Sequence, residues 1–158
     1  MGRHKIDRTI PAELRRMMEV VALIIDRHPV GIRVIEGREE LESEDIAAMY
    51  ELARAKPIRG KDPLNVQSFK SAAEVESYFE RYKTALPQAA ALYAKEQPRK
   101  YAVLREIGLS GHPRARSKER IARAHGIDPK TLYSWKFNSI KSIALTALSL
   151  RETSLSTQ

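Results

Sequence analysis

Apolar residues recur at spacings of three and four in segment after segment of this chain, the period of amphipathic helices. Leu14, Met17, Met18, Val21, Ile24 and Ile25 predict a helix from Pro11 to about Arg27, ended by His28-Pro29. Its apolar face is wide enough to require burial against another helix or another subunit. Residues 30–42 suit either a turn-rich helix or a short strand, and helix is preferred because the rest of the chain is helical. Ser43 opens a helix to about Ala55, with Ile46, Met49, Tyr50 and Ala53 inward. Lys56 to Asn65, with two prolines and a glycine, is the clearest loop. Ser71 and Glu74 form a capping box before Val75, Tyr78, Phe79 and Tyr82. An aromatic stripe at that spacing is core rather than a platform for bases. Pro87 and Pro98 start two further helices, the second with Tyr101, Leu104 and Ile107 on its apolar side. A last helix, Ser139 to about Leu150, carries Ile140, Ile143, Ala144, Ala147 and Leu148. That stripe suits a dimer contact or docking on its own domain equally. The polar end, RETSLSTQ, is expected to be disordered. The pattern predicts an all-α, multi-helix protein.

Between the last two of these segments lies KERIARAHGIDPKTLYSWKF, Lys118 to Phe137. A helix from about Ser117 to His125 is followed by Gly126, Ile127 and Asp128, and a second helix opens at Pro129. Glycine suits a turn that needs positive φ. Asp128 is a good N-cap, and proline is tolerated at the first helical position. Ala122 is small where the helices should cross, while Ile121, Ile127, Leu132 and Trp135 fall where apolar side chains would hold the pair together. With the helix from Pro98 as support, these residues predict a C-terminal trihelical helix-turn-helix unit.

At these residues the sequence resembles the helix-turn-helix superfamily of bacterial regulators, transposases and terminase small subunits. The resemblance covers about 40 residues and implies DNA binding. Gly111-His112-Pro113-Arg114 is similar to the arm of serine invertases and resolvases, which enters the minor groove. The chain departs from those recombinases in leaving no room for their extra helix and in lacking a recognisable catalytic domain upstream. A second, weaker similarity links the segment from Gly31 to Gly60 with the flagellar master-regulator C subunit. It rests on Arg33, Ile35 and Glu36, then Leu41 and Met49-Tyr50. It implies a second DNA-contacting helix pair near residues 30–55 and a transcription-activator role. That family has a four-cysteine zinc site, and this chain contains no cysteine.

Charge sharpens the picture. From Arg99 to Lys136 there are ten lysines and arginines against Glu106, Glu119 and Asp128, a local +7 in a chain of net +8. The basic excess thus surrounds the motif, where a phosphate backbone would lie. The acids Glu36, Glu39, Glu40, Glu42, Glu44 and Asp45 suggest a solvated face and a helix N-terminus rather than a metal site. No cysteine nucleophile, metal-spaced histidine pair or phosphate-binding glycine loop argues for an enzyme, so no catalytic residue, metal or cofactor is assigned. The longest apolar run, Val20 to Ile25, is too short to span a bilayer, and a cytoplasmic location with no membrane partner is expected.

The candidate DNA-binding residues follow from the motif. Lys130 and Thr131, at the leading end of the helix 129–137, are placed for base edges. Tyr133, Ser134 and Lys136 complete its outward face, with Leu132 and Trp135 turned inward. Arg114 and Arg116 suit backbone or minor-groove contacts, and Lys118, Arg120 and Arg123 lie along the preceding helix, some of them facing solvent. The basic residues Arg3, His4, Lys5 and Arg8 form an N-terminal arm. The expected organisation is an N-terminal helical domain over 1–97, for oligomerisation or a second DNA contact. A DNA-binding domain over 98–150 and a disordered tail over 151–158 follow. The leading reading is a sequence-specific double-stranded DNA-binding regulator of bacterial or mobile-element type. A homodimer is favoured, with a partner regulator subunit or RNA polymerase as further partners. Competing readings are a DNA-packaging or recombination accessory protein and a helical interaction protein whose motif is only structural.

Overall fold

The computed structural model describes residues 10–55, 64–109 and 115–156, and the side chains of these except at 115–117 and 153–156. Eight helices occur among the described residues: α1 (Ala12–Arg27), α2 (Gly31–Ile35), α3 (Ser43–Ala55), α4 (Ala72–Tyr82), α5 (Ala85–Glu96), α6 (Pro98–Gly108), α7 (Ala115–Ala124) and α8 (Pro129–Ser156). No strand occurs among those residues. The expected N-terminal arm, most of the Lys56–Asn65 loop and Arg114 lie outside them.

α1 is the axis of the core. Met17, Met18 and every residue from Val20 to Ile25 are buried, so from Met17 on it is covered on all sides rather than along one stripe. A helix apolar all round requires neighbours all round, and α1 packs against α2, α3, α6 and α8. Two glycines permit the tightest crossings. A Cβ on Gly31 would lie 2.0 Å from the Ile24 carbonyl oxygen, and one on Gly108 would lie 2.6 Å from Ile32 Cβ. Of residues 30–42, ambiguous in sequence, Gly31–Ile35 thus form a short helix wedged between α1 and α6, and residues 36–42 are turns and irregular chain.

The Glu19 and Glu36 carboxylates each have polar partners within this core, as burial demands. Glu19 is fully buried, accepts the Ser68 N–H at 3.1 Å and meets Arg15 Nε at 3.3 Å. Arg16 donates to the Ser68 carbonyl at 2.9 Å and lies over the Phe69 ring at 4.4 Å. Together they fix the segment before α4 onto α1. Glu36, at the end of α2, accepts from Tyr101 Oη at 2.5 Å and Arg105 Nε at 3.0 Å. Burial and the Glu36 carboxylate both push the Tyr101 hydroxyl well above its ordinary pKa, so it remains a donor. Glu36 therefore pins α2 to α6, a use the acidic run did not reveal. Ser71 caps α4 by accepting the Glu74 N–H at 3.2 Å. The Glu74 carboxylate reaches back one residue further than a standard capping box, to the Lys70 N–H at 2.7 Å.

The largest departure from expectation is α8. The sequence predicts one helix ending at Phe137 and another opening at Ser139, whereas a single 28-residue helix runs from Pro129 to Ser156. Ser139 is buried, and its hydroxyl shares a hydrogen bond with Tyr93 Oη at 2.8 Å. A serine so engaged does not cap a new helix. Ile140, Ile143, Ala144 and Ala147 are buried against the chain itself. They cannot supply the dimer contact considered for them. Their main partner is α5, whose Ala85, Ala89 and Ala90 are also buried. Small residues on both sides let the helices approach closely. The expected tail is helical through Ser156, and Arg151 holds it by donating to the Arg81 carbonyl at 2.9 Å.

Candidate nucleic-acid interface

The motif residues build the local geometry expected of them. α7 ends at Gly126, which has φ +67°, in the left-handed region. The Ile127 N–H bonds the Ala122 carbonyl at 2.9 Å and the Gly126 N–H bonds that of Arg123 at 3.1 Å. That pair of bonds is a Schellman termination. Two residues on, Asp128 Oδ1 accepts the Thr131 N–H at 2.9 Å and caps α8, with Pro129 in the first helical position. The same bond holds the Asp128 carboxyl below its ordinary pKa. Ile121, Ala122 and Leu132 are buried at the α7–α8 crossing, while Ile127 and Trp135 are half-buried. α6 supports both helices.

The basic side chains divide into two groups. One group is engaged by partners within the chain. Lys118 is buried, and its ammonium donates to Tyr133 Oη at 3.0 Å and lies 4.6 Å from that ring's centre. Lys136 pairs with Asp26 at 2.6 Å, an oblique charge contact rather than an aligned hydrogen bond, with both side chains about seven-eighths buried. The two lysines were expected to face DNA, and both are turned to intramolecular partners instead. Arg99 and Lys100 lie over Trp135 at 5.3 and 5.9 Å. Arg99 also donates to the His125 carbonyl at 3.0 Å. The His125 ring is a turn-side group, 3.2 Å from Glu106.

The other group faces solvent. Arg120, Arg123, Lys130 and Ser134 are exposed, Thr131 is half-buried, and Tyr133 is 44% exposed despite its contact with Lys118. α7 and the start of α8 thus bring Arg120, Lys130, Thr131, Tyr133 and Ser134 onto one structural unit. Arg114 lies outside the described residues. Arg116 falls within α7, but its side chain is not among those described. The exposed face of α8 does not stop at Phe137. Asn138 and Lys141 continue it, a continuity hidden by a helix boundary placed between Phe137 and Ser139.

Among the described residues no group of three or more His, Asp or Glu is arranged to hold a metal ion, and no helix is long and apolar enough to cross a membrane. No family model, curated protein or solved structure matches this chain.

Proposed function

We propose that this protein binds double-stranded DNA in a sequence-specific manner, as a transcriptional regulator of bacterial or mobile-element type. The observation that carries the proposal is the α7–Gly126–α8 unit. Its turn and cap set two helices at a fixed angle, and its solvent side presents Arg120, Arg123, Lys130 and Ser134. In this reading the start of α8 enters the major groove. Lys130 and the Thr131 hydroxyl approach base edges, and Ser134 offers a further donor or acceptor. Arg120 and Arg123 meet phosphates, supplying affinity and orientation rather than sequence preference. Lys118 and Lys136 are positioning residues, because each holds α8 against a neighbour. A dimer on a palindromic site belongs to the same proposal; its contact surface is not the α8 stripe, which the chain's own core uses.

Binding-site selection from random duplex DNA, followed by titration of the selected site, tests this directly. Lys130→Ala with Thr131→Ala should cost on the order of 1–3 kcal/mol on the selected site and little on random duplex. Equal losses on both would contradict a base-reading role. Wild-type protein that shows no salt-sensitive affinity for duplex DNA would sink the proposal itself.

A further inference from the structure

We infer that the DNA-contacting face extends beyond the motif along the unbroken α8, with Asn138 as a base-reading residue and Lys141 as a phosphate contact. The inference rests on the DNA-binding reading above and adds two residues to it. It starts from the helix being continuous. At about 100° of rotation per residue, Lys130, Ser134, Asn138 and Lys141 fall within an arc of about 80°. All four are exposed.

Apart from this arc and the exposed Ser142 and Leu145 beside it, the sides of α8 are occupied. Tyr133 meets Lys118 of α7, Trp135 lies under Arg99 and Lys100 of α6, and Lys136 meets Asp26 of α1. The arc holding the four residues is therefore the face left to a partner. It is suited to a polyanion, because the chain has no acidic residue between Asp128 and Glu152. The polar run ends at Leu145, which is 52% exposed.

Dimensions assign the roles. Lys130 and Asn138 are about 12 Å apart along the axis, at 1.5 Å per residue. That matches the rise of three to four base pairs at about 3.4 Å each. A helix lying along the major groove would therefore keep Lys130, Ser134 and Asn138 over successive base edges. Asparagine can give and accept one hydrogen bond each, the pattern adenine presents in that groove. Lys141 lies almost one turn further on, where a straight helix leaves the curving groove floor and meets its phosphate wall.

The test uses the full chain and its selected duplex site, with Asn138→Ala, Lys141→Ala, Lys130→Ala and the control Lys95→Ala, an exposed lysine on α5. Asn138→Ala should weaken the selected site on the order of tenfold or more, spare random duplex, and relax preference at one base position. Lys141→Ala should weaken both duplexes alike and reduce the log–log salt slope by about 0.9. Thermal unfolding should be unchanged for both, since neither position is buried. If wild type binds and Lys130→Ala weakens it, while Asn138→Ala and Lys141→Ala match Lys95→Ala, the extension is overturned and the DNA-binding reading stands. Equal loss on both duplexes for Asn138→Ala removes its base-reading role. Equal affinity for one strand of the site alone overturns the groove placement. Absence of salt-sensitive duplex binding by wild type overturns inference and reading together.

Discussion

Replacing Lys136 should damage the fold rather than the proposed DNA contact, and the size of the effect can be worked from its surroundings. Its ammonium sits 2.6 Å from Asp26, with 13% and 12% of the two side chains exposed. Removing one partner of a buried pair costs about 3–5 kcal/mol, because the other charge stays desolvated. Here two features reduce that range: both side chains keep some solvent, and the Arg27 charge also acts on Asp26. Lys136→Met should therefore cost about 2–3 kcal/mol, and Asp26→Leu, which strands the lysine, a similar amount. The double variant replaces the pair with apolar side chains and should lie within about 1 kcal/mol of wild type. Urea unfolding of the four proteins closes the cycle, read at constant m-value. At temperatures where it remains folded, Lys136→Met should keep the wild-type salt slope for DNA. A stable Lys136→Met protein with coupling under about 0.5 kcal/mol and a slope lowered by about 0.9 would place Lys136 at a phosphate and refute this assignment.

Gly126→Ala and Gly31→Ala should separate two uses of glycine. At Gly126 an added Cβ meets nothing within 4 Å, so the variant pays only for φ +67°, about 1 kcal/mol by thermal unfolding. At Gly31 the Cβ would strike the Ile24 carbonyl oxygen, forcing α1 and α2 apart at a cost of about 3 kcal/mol or more. Equal costs at the two sites would contradict the crossing geometry. Burial raises the Glu19 pKa despite the Ser68 and Arg15 bonds, so the folded state holds its proton at pH values where the unfolded chain has released it. Its contribution to stability is full below the ordinary glutamate range and lost as pH rises through the raised value. Glu19→Gln should flatten that part of the stability–pH curve, as measured by urea midpoints. An unchanged curve would show that Glu19 is not its source.

What was legible in the sequence is what local chemistry decides. Gly126, Asp128 and Pro129 act within a few residues of themselves, so their turn, cap and helix start follow from residue type alone. The same holds for the apolar stripes of α3, α4 and α6, whose expected residues are buried. The boundary near Phe137 failed for the opposite reason. Asn138 and Ser139 have weak helix preference, but Tyr93 supplies Ser139 with a partner from another helix, and tertiary contact overrides propensity. The direction of Lys118 and Lys136 was equally hidden. Both lie on a motif that suggests an outward face, yet Tyr133 and Asp26 capture them, and Asp26 is remote in sequence.

Those captured cations change how the local +7 should be understood. Arg105 is bound to Glu36, Arg99 and Lys100 lie over Trp135, and Lys118 and Lys136 have internal partners. Charge that neutralises an internal carboxylate or stacks on an indole contributes less to phosphate binding than its formal count implies, because it must give up that partner or share it. The surface that remains is narrower around the motif and longer along α8 than a patch defined by composition. Its rigidity follows from the same contacts. α8 cannot pivot at Gly126 without withdrawing Ser139 from Tyr93 and Ile143, Ala144 and Ala147 from the core. If the helix reads DNA, it does so pre-oriented, with little ordering entropy left to lose on binding. A regulating ligand would then have to move the helix with the core around it, not swing a hinged reading head.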